Sequence, residues 1–549
     1  MPSTVRRPLL SVALSVTALA GGAGIFALQG ASIASGATGV TARSVLVKRL
    51  PGMTEAPSIP GRVCGNPGVL TGPNVRPRGA VRIPAGRDNP VRYERADTTY
   101  WFAPGLHTLG TSAFSQFIPA HGSTYIGGPG AVLSGQGMNE AAFTQQATDV
   151  TIEYLTIANF APPGGQGAVN SDSAVHWTIR NNTIRSNLPG AGLMMGTGDV
   201  VSHNCLTANG EYGFDVYSSR DISSVTGGPT NITLSDNEIS KNGTCNWETL
   251  SNFPIKVPSG CGRVGFSDCG CSGGGKFWRV DGATVVGNYV YDNYDVGIWA
   301  DTNNTGFDIS GNYIAKNWSQ GLMYEVSYNA QIDDNTFLDN AWGSGPGNKG
   351  FPAGAIYVSE SGGDSRVPGA YSGEFQIDGN AFINNWAGVV LWENANRFCG
   401  TAPGLNATDV CTLVDPSIAN IHTCTEANLT RATPAGKPDY YDLCRWKTQN
   451  VSVSDNVFRF AAADVPACSA ATSCGMNGLF SEYGSYPSWS PYTAYKIPQA
   501  ITFDQGNRFS QNTYEGAWRF MAYTDGTVVP YSLWRTKYHQ DLGSNTVRP

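Results

Sequence analysis

Four acidic residues recur at matching places along the chain: Asp301 in Ile-Trp-Ala-Asp301, Glu325 in Met-Tyr-Glu325, Glu360 in Val-Ser-Glu360 and Glu393 in Leu-Trp-Glu393. Asp301, Glu325 and Glu393 each lie eight residues past an asparagine (Asn293, Asn317, Asn385). Ala353-Gly-Ala-Ile-Tyr-Val-Ser-Glu360 matches Ala387-Gly-Val-Val-Leu-Trp-Glu393 if one residue is bulged. On strands stacked at about 4.7–4.9 Å, these acids would form one column. Close carboxylates repel, which raises at least one pKa. A pair split in this way can cleave a glycosidic bond: the protonated partner serves the leaving oxygen, and the ionised one attacks or activates water. Retaining enzymes need carboxyl groups about 5–5.5 Å apart and inverting ones about 6.5–9.5 Å. Neighbouring coils would supply the first spacing and alternate coils the second. The plainer alternative has the acids splayed into water at a turn, serving no common site.

Aromatic residues accompany the acids. Trp299, Tyr324, Tyr357 and Trp392 lie within three residues of one, and Tyr294, Trp318 and Trp386 follow the second Asn of their segments. Flat apolar faces suit the C–H faces of sugars, so Trp299, Trp318, Tyr357, Trp386 and Trp392 are expected to bind substrate. By strand alternation Trp299 shares the face of Asp301, whereas Tyr324 falls opposite Glu325. Asp215, in Gly213-Phe-Asp-Val-Tyr, sits two positions earlier on the same face of an earlier segment and would support substrate at one end of the groove. Gly273-Gly-Gly-Lys276 is expected to be part of a loop overhanging that groove. His176 and His203 fall within strand repeats, where a packed or surface role is expected.

A repeat must position these residues. Its template is apolar-any-apolar, two small or polar residues, Asn, any, apolar, two variable residues, Asn. It reads Trp177-Thr-Ile-Arg-Asn-Asn182-Thr-Ile-Arg-Ser-Asn187 and returns six times between Val200 and Asn385. Period-2 alternation marks short strands. Tight neighbours are 22 to 24 residues apart (Asn182 to Asn204, Asn288 to Asn312), one coil of three short strands and three turns. Stacked coils place Asn over Asn, so the amides can bond along the axis, and Asn also tolerates the left-handed conformation of a sharp corner. The column is therefore structural. Propeller blades need about 40–50 residues each, which this spacing excludes.

These repeats resemble those of the right-handed parallel β-helix superfamily, the pectate-lyase-like fold, over roughly Tyr100 to Phe398 and again after Asn450. Phe102-Ala-Pro-Gly-Leu-His-Thr-Leu followed by Ile126-Gly-Gly-Pro-Gly-Ala-Val-Leu-Ser-Gly-Gln is similar to the first coils of such proteins. The resemblance implies an all-β solenoid with disulfide-stapled loop insertions. It leaves chemistry open, since the fold hosts hydrolases, lyases, epimerases and adhesins.

Arg6, Arg7 and the apolar stretch Leu9 to Leu28, with Ser32-Ile33-Ala34 as a cleavage site, read as a signal peptide over residues 1–34. The mature protein is then secreted and extracellular. Twelve cysteines fit an oxidising compartment, and their even clustering suggests local disulfides, with Cys64 and Cys205 standing apart. The expected layout is an irregular lead-in and cap at 35–98 and coils at 99–398 interrupted at about 243–276. A Cys-rich insertion follows at 399–450, then final coils with an aromatic C-terminal cap at 451–549.

A net charge of −7 argues against nucleic acid or anionic membrane as partner. The reading is a monomeric glycoside hydrolase acting on a polysaccharide or oligosaccharide, with no cofactor beyond an optional Ca²⁺. Two alternatives are kept. A polysaccharide lyase on a uronate polymer would need a basic side chain, and no Lys or Arg recurs on the acid-bearing strands. A glycan-binding or adhesion β-helix would have no turnover.

Overall fold

Each Asn-marked segment folds into one coil of a parallel β-helix. The computed structural model describes residues 58–548, apart from 89, 218–227, 246–254, 262–271, 348–352, 396, 400–418, 421, 430–433, 470–471, 483–495, 525 and 544–546. The expected signal peptide lies outside the described residues. Three sheets of 13, 14 and 12 strands run along the axis, and successive coils pair in parallel. One coil runs Thr178–Arg180, Thr183–Arg185, Ala191–Met194, with one strand in each sheet.

Apolar side chains at alternate positions fill the tube. Ile179, Ile184 and Leu193 are fully buried, and in-register rings continue the stack from Phe337 through Phe382 and Phe458 to Tyr514 at 4.6 to 5.1 Å. Two asparagine ladders close two of the corners. In the first, side-chain amides link Asn182, Asn204, Asn237, Asn288, Asn312, Asn335, Asn380, Asn456 and Asn512 at 2.9–3.1 Å per step. The second runs from Asn187 through Asn209, Asn242, Asn293, Asn317 and Asn340 to Asn385. The left-handed residue at each corner is the one before the ladder Asn, as at Asn181, His203, Asp236, Asp334 and Asp455, and not the ladder Asn itself. An exposed residue thus takes the strained φ, and the buried amide is free to bond. His203 is such a corner residue, and His176 takes the same φ at a corner before Trp177; both are half or more exposed.

The first sheet begins at Val81–Ile83, which pairs with Thr99–Phe102, so strands start before the boundary at 99 expected from the repeat. The lead-in is held on the outside of the coil by Cys64–Cys205 and by Glu238, which accepts from the Val63 and Cys64 amides at 2.8 Å each. Cys245–Cys261 closes the first insertion, and Cys424–Cys444 lies in the second. The second insertion carries a small core of its own, in which Trp446 stacks on Tyr328 of a coil strand. At the far end the buried Asp541 takes the last ladder amide (Asn512, 2.9 Å), the Tyr514 hydroxyl and the Trp534 indole N–H. No helix among the described residues is long and apolar enough to cross a membrane.

Candidate functional site

The 12-stranded sheet carries the candidate residues on its outer face. Its register is set by a row of small residues at the strand starts: Gly213, Gly274, Gly297, Gly321, Ala355 and Gly388. They are small because the second Asn ladder passes beneath them. A Cβ on Gly297 would meet the Asn317 amide at 2.8 Å and the Gly321 carbonyl at 2.4 Å. Two residues on from these positions stand Asp215, Lys276, Trp299, Met323 and Tyr357, each paired with the next. Two further on stand Trp278, Asp301, Glu325, Ser359 and Trp392.

Asp301 and Glu325 are therefore direct neighbours on adjacent coils. Glu360 and Glu393 are not in their column: Ser359 pairs with Glu325 and Trp392 with Ser359, which leaves each glutamate one residue beyond. Corner length is the cause. Gly297 and Gly321 follow their Asn by four residues but Gly388 follows Asn385 by three, so counting eight from Asn385 overshoots by one. Both glutamates are fully buried. Glu360, at a corner with φ of 45°, accepts from the Asn394 amide and pairs with Arg397 at 2.8 Å. Glu393 accepts from the Thr448 amide at 2.8 Å and the Gln505 amide at 2.7 Å, and is ion-paired with Arg445. Asn394, Arg397, Arg445 and Thr448 are where the chain leaves and rejoins the coil around the second insertion.

The upper acids have different surroundings. Asp301 is ion-paired with the Lys276 ammonium at 2.8 Å. That ammonium lies 4.0 Å from the Trp299 ring centre and 5.0 Å from that of Trp278, a cation–π arrangement. The Trp299 indole N–H donates to Glu325 at 3.1 Å, and the Ser359 hydroxyl donates to it at 3.2 Å. Burial pushes the Glu325 carboxyl up to about 7; Arg397, 3.7 Å away, opposes the rise, while Asp301 and Glu360 add to it. Farther along, burial raises Asp215 to about 6 and Glu211 to about 7, with Lys276 working against both. Desolvation and mutual repulsion thus keep several acids near protonation at neutral pH, alongside a carboxylate with its own ammonium partner.

Lys276 corrects the expected overhanging loop: Gly273–Trp278 is a strand of this sheet. Its glycine run is a packing feature, since a Cβ on Gly275 would sit 2.0 Å from the Phe214 ring. Of the expected aromatic contacts, Trp299 faces the acids. Tyr357 and Trp392 lie on the same face, 5.9 Å apart and buried. Trp386 is fully buried at a corner with its indole N–H on Ser473, and Trp318 is half-buried at the matching corner two coils earlier. Tyr324 is inside the tube against Phe307 and Phe375. The residues missed from sequence are Lys276, Trp278, Arg397 and Glu211; the glycine register, had it been used in place of the Asn count, would have aligned Lys276 with Asp215 and Trp299. Among the described residues, metal-ligand side chains converge within 4.8 Å only at Cys399, Cys424 and Cys444, which are disulfide-bonded.

Residues 167–369 match the family model described as right handed beta helix region. No curated protein matches the chain. Among solved structures, the mannuronan C-5 epimerase AlgE4 A-module of Azotobacter vinelandii is 14% identical, with 57% of this chain and 86% of that chain covered and a TM-score of 0.34. PfbA, a surface adhesin of Streptococcus pneumoniae, is 10% identical, with 78% and 82% covered and a TM-score of 0.34. The Agl-KA catalytic domain is 11% identical, with 73% and 58% covered and a TM-score of 0.33. Residues 167–369 form a right-handed β-helix region, and they carry Asp215, Lys276, Asp301, Glu325 and Glu360.

Proposed function

We propose that the chain is an exported glycoside hydrolase whose reacting pair is Asp301 and Glu325. One observation carries this reading: two directly paired carboxyl groups in contrasting surroundings, Glu325 raised by burial to about 7 and Asp301 in contact with the Lys276 ammonium at 2.8 Å. Glu325 delivers its proton to the glycosidic oxygen as the bond to the anomeric carbon breaks, and Asp301 forms the new bond to that carbon. Water then releases the sugar, with Glu325 taking the proton back. Adjacent coils about 4.8 Å apart suit the shorter carboxyl spacing, hence retention of configuration. Trp299, Trp278 and Tyr217, whose ring lies 5.5 Å from that of Trp278, offer the faces on which sugars stack. Trp392 and Tyr357 back this surface. Glu360 and Glu393 hold the insertion in place, and the disulfides suit an oxidising compartment.

A polysaccharide panel assayed for reducing ends tests the reading. Glu325→Gln and Asp301→Asn should each lower kcat by about 10²–10⁴, and wild-type activity should fall as pH rises through about 7. Unchanged turnover in either variant removes the pair from the chemistry, and a protein that binds glycans without ever turning them over is an adhesion module.

Elimination on a uronate is the second reading, favoured by the presence of Lys276 and Arg397 beside the acids. Both cations are already committed, to Asp301 and to Glu360 with Glu325, which leaves little positive charge for a substrate carboxylate. An ultraviolet-absorbing product would establish elimination instead.

A further inference from the structure

Access to the acid pair is unequal along the helix axis. The outward column runs Trp278, Asp301, Glu325, Ser359, Trp392 and Phe480, each paired with the next on the neighbouring coil. On the N-terminal side of the pair this column meets solvent: Asp301 and Trp278 are partly exposed, and Tyr217, beside Trp278, is 41% exposed. On the C-terminal side it does not. Ser359 is fully buried, and Trp392 and Phe480 are each only 3% exposed.

Arg397 crosses the column where the exposure ends. It follows the strand Val389–Asn394, two coils beyond Glu325, and reaches back past the strand of Ser359. Its guanidinium bonds Glu360 at 2.8 Å and comes within 3.7 Å of the Glu325 oxygen that accepts from the Ser359 hydroxyl. The backbone at this point is held on both sides. The Arg397 amide donates to the Asn394 carbonyl at 3.1 Å, and the Arg397 carbonyl accepts from the Trp446 amide at 3.0 Å. The next residue, Phe398, pairs antiparallel with Arg445, so the two ends of the second insertion form a stem at its root.

A polymer lying along the column past Glu325 would have to pull this guanidinium off two carboxyl groups, and breaking a buried pair is strongly unfavourable. One coil step of about 4.8 Å separates Glu325 from Ser359, which is close to the length of one sugar ring. We propose that the groove is blind on the C-terminal side of Glu325, closed by Arg397 at the root of the second insertion, and that it takes a glycan by its chain end. One sugar lies beyond the pair, and the rest of the chain runs over Trp278 and Tyr217. This inference rests on the function proposed above and makes that activity exo-acting.

Counting bound protein per chain tests this. The Glu325→Gln protein is titrated by calorimetry with unbranched pullulan, mannan, xylan, laminarin and polygalacturonate, each as a short and a long fraction. For the polymer that binds, a blind groove gives one protein per chain at both lengths, whereas a groove open at both ends gives a count that grows with length. Adding Trp278→Ala should weaken binding about threefold to tenfold, the equivalent of one stacked ring. Adding Arg397→Ala should raise the count on the long fraction above one; the count on the parent protein decides the blind end on its own should that variant fail to fold. A parent count that grows with length, an unchanged count in folded Arg397→Ala, or no binding of any fraction overturns the proposal. Products of the wild-type protein separate it from the hydrolase reading. One protein per chain without turnover of any polymer removes the hydrolase and keeps the blind groove. Turnover that yields a ladder of oligosaccharides from its first minutes, with a rapid loss of viscosity, removes the blind groove and keeps the hydrolase.

Discussion

Lys276 is the residue on which the candidate site turns. Its ammonium bonds Asp301, lies over the indole that holds Glu325, and opposes the upward pull of burial on Asp215 and Glu211. Removing it leaves a largely buried carboxylate without its partner, and breaking such a pair costs about 3–5 kcal/mol. Lys276→Met should therefore lower the denaturation midpoint by a corresponding amount and drive the Asp215 and Glu211 carboxyls above their present values of about 6 and 7. Carbon-13 titration of the side-chain carboxyls reads both shifts. Lys276→Arg, which keeps the charge, should restore most of the stability and of the titration. Unmoved carboxyls in Lys276→Met would mean that the lysine is only packing. The sequence hid this residue for a physical reason. Three glycines before a lysine read as a turn, whereas here they are strand positions emptied by the Phe214 ring and the Asn ladder.

At the scale of the element, the corner decides what the strand presents. Asn recurrence made the coils, their strand number and their 22- to 24-residue pitch legible, because a buried amide at each corner is both a spacing mark and a bond. It could not fix the outward register, because the stretch from Asn to glycine is four residues at Asn293 and Asn317 but three at Asn385. That single residue takes Glu393 out of the column in which Asp301 and Glu325 meet, and the insertion after Asn340 does the same for Glu360, so both glutamates sit within the wall. The ladder itself can be tested at Asn312. Its amide takes the Asn288 N–H and side-chain amide at 2.9 and 3.0 Å, and donates to Val285 and to Asn335. Asn312→Leu strips four buried bonds and should cost about 3 kcal/mol or more, measured as a lower urea midpoint. His203→Ala, an exposed corner beside the same ladder, should change it by less than about 0.5 kcal/mol. Equal effects would show that the amide column is not what holds the coils in register.

For the whole molecule, long-range pairings were the least legible. Cys64 and Cys205 are 141 residues apart, and the core that joins Tyr328 to Trp446 belongs to no repeat, so nothing periodic announced either. One global property follows from the buried acids. Glu325 and Glu211 are raised from 4.5 to about 7, and Asp199, Asp215, Asp333 and Asp339 from 3.8 to about 6, each chiefly by burial. Between the unfolded and folded values the native state binds more protons than the unfolded chain, so stability falls as pH rises through that window. These groups favour the fold most below about pH 4 and have given up that contribution above about pH 7. Glu238 works in the opposite sense: burial pushes it up, but Arg62, Tyr291 and two backbone amides together outweigh that and hold it below its ordinary value, and its contribution is lost as the medium becomes strongly acidic. The two trends place the stability maximum on the acid side of neutrality. Calorimetric Tm should rise as pH is lowered from 8 to about 5, and Glu325→Gln with Glu211→Gln should flatten that slope, since an amide has no proton to lose. A Tm that instead climbs between pH 5 and 8 would mean that these carboxyls are ionised in the native wall and that counter-charges, not protons, compensate their burial.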